Sequence, residues 1–272
     1  MSTEKWIVPS SIAIMGFLAL ASVALGQAGA GSNNTLYNKL NSSAGTGGAA
    51  PPHDLNGAWT GESLGAMKAD PIPPMTPLGQ QRFSINKPES KFGVAGSNDP
   101  WKTCDPFGIP RGLVSEIRGV EFAQMPNRML VLHQYQKIWR EVWTDGRALP
   151  KNVDNGGPES RWYGYSVGHW DGDYTFVIDT TGADDRSWID GAGHPHSVDA
   201  LVEERYTRVD RNHMEMSVTL NDPKIYTKPF VLGTNRYLYI PSQESEEQFC
   251  IPSEALAYID IIATPAANSK AK

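Results

Sequence analysis

A chain of 272 residues with 40% hydrophobic and 20% charged residues has a globular rather than a disordered composition. Its net charge of −6, with Lys and Arg scattered, excludes the electrostatic footprint of a nucleic-acid binder and any basic run that would attract anionic lipid. Eight Trp and ten Tyr favour strands and are also the side chains that line ligand pockets.

The N-terminus reads as an export signal. A short polar start with Lys5 precedes an apolar run from Ile12 to Leu25, too short for a comfortable membrane span but of the length of a signal-peptide core. Ala24-Leu25-Gly26 before Gln27 fits a small-x-small cleavage rule, and Ala28-Gly29-Ala30 is a second position. Residues 1–26 are therefore assigned to a cleaved signal peptide, with an uncleaved anchor as the competing reading. The expected location is the periplasm or the cell exterior, with no membrane span after cleavage. Residues 27–52, rich in Gly, Ala, Ser and Asn, are expected to be a flexible linker.

Residues 53–265 are expected to form a single β-barrel-like domain, followed by a disordered tail over 266–272. The domain opens at Asp54-Leu-Asn-Gly-Ala-Trp59. Residues 66–112 carry prolines such as Pro71, Pro73, Pro77, Pro88 and Pro106, which predict irregular chain. From Val114 the pattern turns to strands: Met129–His133, Ile138–Trp143, Tyr165–Trp170, Tyr174–Asp179, Val202–Val209, Met214–Leu220 and Tyr237–Ile240. Asp171-Gly172-Asp173 and Asp210-Arg-Asn212 mark two hairpins. Met214, Met216, Val218 and Leu220 alternate with Glu215, Ser217 and Thr219, the mark of a half-buried strand. Ser253–Ile262 is the one helical candidate. Consecutive hairpins without crossover helices predict an all-β fold, an antiparallel meander closed into a lipocalin/calycin-like barrel, with a β-sandwich as the alternative. Gly57-Ala58-Trp59 resembles the Gly-x-Trp that opens lipocalin-type barrels. Cys104 and Cys250 are the only cysteines, and in an exported protein they predict one disulfide; two free buried thiols are the alternative.

Several segments occur together in a fixed order. They include Trp143-Thr-Asp-Gly-Arg147, Gly164-Tyr-Ser-Val-Gly-His-Trp-Asp-Gly-Asp173, Val177-Ile-Asp-Thr-Thr-Gly182, His194-Pro-His-Ser197, Glu204-Arg205-Tyr206 and Asp222–Phe230. In this combination the chain, from about Asp54 to Cys250, resembles a large group of exported bacterial proteins to which no activity is assigned. The resemblance implies export and a bacterial source.

The segment Trp188–Asp199 holds the most suggestive chemistry. Its glycines and Pro195 make it a loop, and loops carry function disproportionately. His194 and His196 are the candidate catalytic residues, with Asp190 to orient a general acid or base and Arg140 to stabilise an oxyanion. A hydrogen-bonded loop pair is the bland reading of the two histidines. A metal at His-x-His is a minor reading: the cupin pattern is incomplete, because Glu203 lies too far away and no second motif supplies a third His. No metal or other cofactor is expected; phosphate-loop, dinucleotide and haem-attachment motifs are missing. Trp139, Trp143, Tyr165, Trp170 and Trp188 are expected to line a concavity at the barrel mouth facing the histidines. The functional readings are an exported barrel that binds a small apolar or aromatic molecule, a cofactor-independent hydrolase, lyase or isomerase at the barrel mouth, and an envelope scaffold protein. The expected partner is a small ligand or substrate, not nucleic acid.

Overall fold

The computed structural model describes residues 36–62, 69–114, 119–151, 153, 161–242, 244 and 247–270. The expected signal peptide lies outside the described residues. Nine strands close into a barrel in the order of the sequence. They are β1 (Gly57–Gly61), β2 (Gly119–Met125), β3 (Arg128–His133), β4 (Ile138–Trp143), β5 (Tyr165–Asp171), β6 (Thr175–Thr181), β7 (Leu201–Arg208), β8 (His213–Asn221) and β9 (Phe230–Tyr239). The barrel expectation holds and the sandwich alternative falls.

The expected all-antiparallel meander is corrected at one place. All neighbours are antiparallel except β4 and β5, which run parallel and pair only at Val142↔Ser166 and Trp143↔Val167. An odd number of strands cannot close with antiparallel neighbours throughout, so one parallel pair is a topological necessity. A parallel pair cannot be joined by a tight turn, and residues 144 to 164 separate β4 from β5.

The lumen is filled by the alternate residues that the sequence pattern singles out. In β8, Met214, Met216, Val218 and Leu220 are buried, while Glu215 and Asn221 face outward. Phe122, Met129, Val131, Val142, Phe176, Ile178, Val202 and Tyr206 join them in one core cluster. Gly168 occupies an inward position of β5. A Cβ there would lie 2.6 Å from the Phe176 ring and 2.8 Å from Val142, so the Phe176 ring takes the space that a side chain would fill.

The lower end carries the tight turns, β2–β3, β5–β6 and β7–β8, and is shut. Trp59 is fully buried, its indole N–H donates to the Leu55 carbonyl (3.0 Å), and the Arg208 guanidinium sits 4.7 Å above its ring. Helix α1 (Leu36–Ala44) packs near this end. Asn212 donates to the Ala44 and Gly45 carbonyls, His213 Nε2 lies 2.7 Å from Asn41 Oδ1, and Tyr37 is buried. The expected linker over 27–52 is thus structured in its second half, because its polar groups find partners on the β7–β8 turn.

The upper end is covered by the β1–β2 connection. That connection is less irregular than its prolines suggest. It holds α2 (Pro77–Ile85), α3 (Glu89–Gly96, kinked at Gly93), a 3-10 turn over Pro100–Thr103 and the short α4 (Arg111–Val114). Proline is compatible with the first turn of a helix, and Pro77 occupies that place behind the Thr76 cap. The disulfide is formed: Cys104 and Cys250 have Cα atoms 5.4 Å apart and tie this cover to the C-terminal segment. Beyond Cys250 the chain is helical, with α5 (Pro252–Tyr258), a π-helical turn (Ile259–Ala263) and α6 (Thr264–Lys270). The part of the expected disordered tail up to Lys270 is therefore helix. Among the described residues no helix is long and apolar enough to cross a membrane.

Candidate functional site

The β6–β7 loop does lie at the upper end, but neither of its two histidines lines the cavity between lumen and cover. His196 and its neighbours are sealed. Ser187 Oγ lies 2.9 Å from both His196 Nε2 and the Asp184 carbonyl, and His196 Nδ1 is 3.1 Å from the Ser197 carbonyl. A contact of Nδ1 with a carbonyl requires Nδ1 to carry the proton, which leaves Nε2 as an acceptor facing Ser187. Burial holds His196 below the ordinary imidazole range despite the nearby carboxylates. The Ser187 hydroxyl has one proton between two acceptors, the Asp184 carbonyl and His196 Nε2, and both residues are at most 2% exposed, so no substrate reaches them. Asp222 accepts from the Ser197 amide (2.6 Å) and hydroxyl (2.8 Å), and Tyr226 donates to the Pro195 carbonyl. His194 sits nearer the surface, its Nδ1 2.6 Å from Asp190 Oδ2 and its ring stacked on Phe83. Burial raises the Asp190 carboxyl, but the bonds and charge of His194 outweigh it and hold the group low. These are the contacts of a knitted loop. Among the described residues no group of three or more His, Cys, Asp or Glu is placed to hold a metal.

Of the five predicted aromatics, Trp139, Trp143 and Tyr165 come together, but on the outer face of the barrel and away from the histidines. Strand alternation points Trp139 and Trp143 away from the lumen, with Arg140 and Val142 inward. Tyr165 lies beside them on the outer surface. Trp170 packs between His53 and Phe176 near the lower end. Trp188 is buried in the β6–β7 loop beneath the Arg111 guanidinium. The expected aromatic wall around the histidines is corrected on all five. The physical cause is parity: residues two or four apart share a face, but which face depends on the register of the whole barrel.

Of the residues singled out in sequence, Arg140 has the most distinctive setting. Its Nη2 donates to Glu204 Oε2 (2.5 Å) from the opposite wall of the lumen, and the Tyr206 hydroxyl donates to the same oxygen (2.8 Å). Arg140 is 5% exposed and Glu204 fully buried. Burial works against the Arg140 charge, and Glu204 more than restores it. The pair is incompletely matched. Arg140 Nε and Nη1, Glu204 Oε1, Asn235 Nδ2 and His133 Nε2 are sealed from solvent and have no hydrogen-bond partner. Each such group costs roughly 1–3 kcal/mol if left unpaired.

A cavity lies between the lumen and its cover. Tyr206 and Tyr237 form part of its floor. Phe107, Ile109 and Leu113 come from the cover, and His133, Tyr135, Ile138 and Tyr163 from the wall. The room for water-sized occupants is about 30 Å³, enough for about two waters at ~10–15 Å³ each. Burial raises the Tyr163 and Tyr206 hydroxyls well above the ordinary phenol range and takes Tyr237 up to about 12, so all three stay protonated donors. Burial, helped by the charge of Arg140, pushes His133 down to about 3, so its ring is neutral and Nε2 is free to accept or donate one bond. The cover is firmly held. Arg111 forks onto Asp99 (2.7 and 2.8 Å) and lies 4.7 Å from the Phe107 ring centre, and Phe107, Trp101 and Tyr135 pack together.

Sequence reasoning missed Glu204, Tyr206, His133, Asn235 and the cover residues. Glu204 was legible in part, as an acidic residue at the inward parity of an otherwise apolar strand, Val202-x-Glu204-x-Tyr206. Comparison with known proteins brings no match among family models, curated proteins or solved structures.

Proposed function

We propose that this chain is an exported β-barrel that binds a small, mainly aromatic molecule carrying one polar group in the cavity between lumen and cover. The observation that carries the reading is an aromatic-lined space that holds the unmatched His133 Nε2 and is lined by Tyr206, whose hydroxyl bonds the incompletely matched Glu204. Ligand pockets combine an apolar wall with a few convergent polar groups, and Phe107, Tyr135, Tyr163 and Tyr237 supply the wall. The disulfide supports an oxidising compartment and hence export. A ligand larger than two waters requires the cover to yield, and Leu113 is the cover residue closest in character to a plug.

Indole is a suitable probe, with a flat apolar body and one N–H donor. Saturable one-to-one binding is expected by calorimetry, strengthened in Leu113→Ala, which enlarges the space, and lost in Leu113→Trp, which fills it. Indole affinity that is the same in both variants as in the unaltered protein would sink the reading.

A further inference from the structure

Closing a sheet into a barrel removes its free edges, but this barrel is closed at its seam by a very short pairing. Among the described residues β4 and β5 meet only at Val142↔Ser166 and Trp143↔Val167. Toward the cover, where residues 138–141 of β4 still have a side to pair, the chain that precedes β5 bends away. Gly164 adopts a φ of +65° and presses on the end of β6, where a Cβ would lie 2.6 Å from the Thr181 carbonyl. The Trp162 carbonyl accepts from the Ile109 amide (3.1 Å) and the Arg161 carbonyl from the Asp184 amide (3.1 Å). This segment therefore serves the cover and the β6–β7 loop instead of β4.

Backbone alternation shows which groups are left. Successive residues of a strand turn their N–H and C=O toward opposite neighbours. The Thr144 amide donates to the Asn127 carbonyl (3.0 Å), on the β3 side. Val142, Arg140 and Ile138 share that side, so Trp143, Glu141 and Trp139 face the seam. Trp143 is taken up by the pairing with β5. The Trp139 N–H and C=O and the Glu141 N–H have no hydrogen-bond partner among the described residues.

They border an outer groove of about 570 Å³, lined by Trp139, Glu141 and Trp143 on one side and by Arg161, Tyr163 and Tyr165 on the other. The groove stands where an upward continuation of β5 would lie. Its charge is one-sided. Glu141 is held by Arg128 (2.6 Å), whereas Arg161 rests over Tyr165 and has no ion-pair partner among the described residues. Trp139 is 56% exposed. A ring or a sugar would use the side chains alone. An extended peptide repeats donors and acceptors at the spacing of the edge itself, and the alternate side chains of such a strand supply the specificity.

We propose that this groove receives a short extended peptide as an added strand against β4, with an acidic side chain directed at Arg161 and an apolar one beside Trp139. Residues 138–141 span about 13 Å at ~3.3 Å per residue, the length of about four or five peptide residues. The site uses only groups on the outer wall and does not depend on the cavity under the cover.

The test is calorimetry with acetyl-Thr-Val-Glu-Val-Thr-amide, for which saturable one-to-one binding is expected. Two analogues with the same side chains are N-methylated at alternate amides, one in each frame. Only one frame faces β4, so their affinities are expected to differ at least tenfold. Replacing the peptide's Glu by Gln is expected to weaken binding severalfold in the unaltered protein and to change nothing in Arg161→Gln. Trp139→Pro removes the amide that faces the groove and spares the bonds to β3; it is expected to abolish binding, where Trp139→Thr, which keeps the amide, only weakens it. Circular dichroism and the thermal midpoint establish that both variants fold, and the methylated peptides test the same point on the unaltered protein. No saturable binding, equal affinity for the two methylated frames, or full affinity in a folded Trp139→Pro would overturn the proposal. So would a protein that sediments as a dimer and parts only when the peptide is added, which would assign the edge to a second copy.

Discussion

Two regions at the upper end of the barrel bury polar side chains, and they treat them in opposite ways. In the β6–β7 loop, Ser187, His196, Ser197 and Asp222 are all sealed, and their hydrogen-bonding atoms meet partners within 3.1 Å. In the lumen, Arg140, Glu204 and Asn235 are just as deeply buried, yet four of their polar atoms have no partner. A matched cluster holds a loop in shape and asks nothing of a ligand. An unmatched one beside open space carries a standing cost that water or a ligand can remove. Residue type alone does not separate the two regions, since the loop has the better-looking catalytic composition. The remaining hydrogen-bonding valence separates them.

Experiment can perturb one region and watch the other, starting with the disulfide that fastens the cover over the lumen. Cys104 and Cys250 are 146 residues apart, and opening a loop of that length costs about 5 kcal/mol in the chain-entropy model. Cys104→Ser/Cys250→Ser is expected to lower stability by roughly that amount in denaturant titration, an upper figure because unfolded chains retain structure. Hydrogen exchange is expected to rise in residues 100–114 and to stay slow at Ser197 and Ala200. Exchange that accelerates equally in both regions would show that the loop depends on the cover.

Arg140→Met leaves Glu204 charged and unpaired inside the barrel, at an expected cost of about 3–5 kcal/mol. The double change Arg140→Met/Glu204→Leu is expected to recover most of it, read as the midpoint of thermal unfolding. No recovery would mean that the pair's bonds, rather than its charges, hold the lumen.

In the loop, Asp222→Ala strips the Ser197 amide and hydroxyl of their acceptor and should cost roughly 2–4 kcal/mol. Indole affinity is expected to stay unchanged. A loss of binding in a variant of undiminished stability would reverse the assignment of the two regions.

Acid acts on the lumen through His133. The folded state keeps the ring neutral down to about pH 3, whereas the unfolded chain takes up its proton near 6.5. Between those values the unfolded state binds more protons, so stability is complete above pH 6.5 and drains as pH falls toward 3. Proton uptake by the unfolded chain over that interval costs the folded state a few kcal/mol. His196 drains stability in the same direction, since its range is also lowered by burial. The difference in pH slope between the unaltered protein and His133→Gln isolates the lumen's share; identical slopes would assign the whole effect elsewhere.

The smallest effect belongs to Trp139, on the outer face of β4. Trp139→Ala removes an exposed side chain and should change stability by less than about 0.5 kcal/mol. A larger drop would show that the indole holds the strand seam together instead of serving as an open face.

Much of the barrel was legible in the order of residues alone. Strand existence follows from local alternation and turn chemistry: six predicted strands and two predicted hairpins stand where the pattern put them, while the seventh, Tyr237–Ile240, marks only the end of the longer β9 (Phe230–Tyr239). The disulfide was legible from having only two cysteines. The parallel seam left a weak trace as the long interval between Trp143 and Tyr165. The ordered stretch around α1 left none, because its stability comes from Asn41, Ala44 and Gly45 meeting the β7–β8 turn, a contact between distant parts of the chain.

The site divides along the same line. Sequence by itself determined that Arg140 sits at one parity with Val142, and Trp139 at the other with Trp143, because side chains alternate along any strand. Which parity faces inward was decided only when nine strands closed and set a common register. That closure put Arg140 opposite Glu204, 64 residues away, left both short of partners, and turned the tryptophans out toward the seam. It also sealed His196 inside its own loop and left His194 nearer the surface, held by Asp190. Hydrogen-bond satisfaction is a property of neighbours in space, and no window of sequence contains those neighbours.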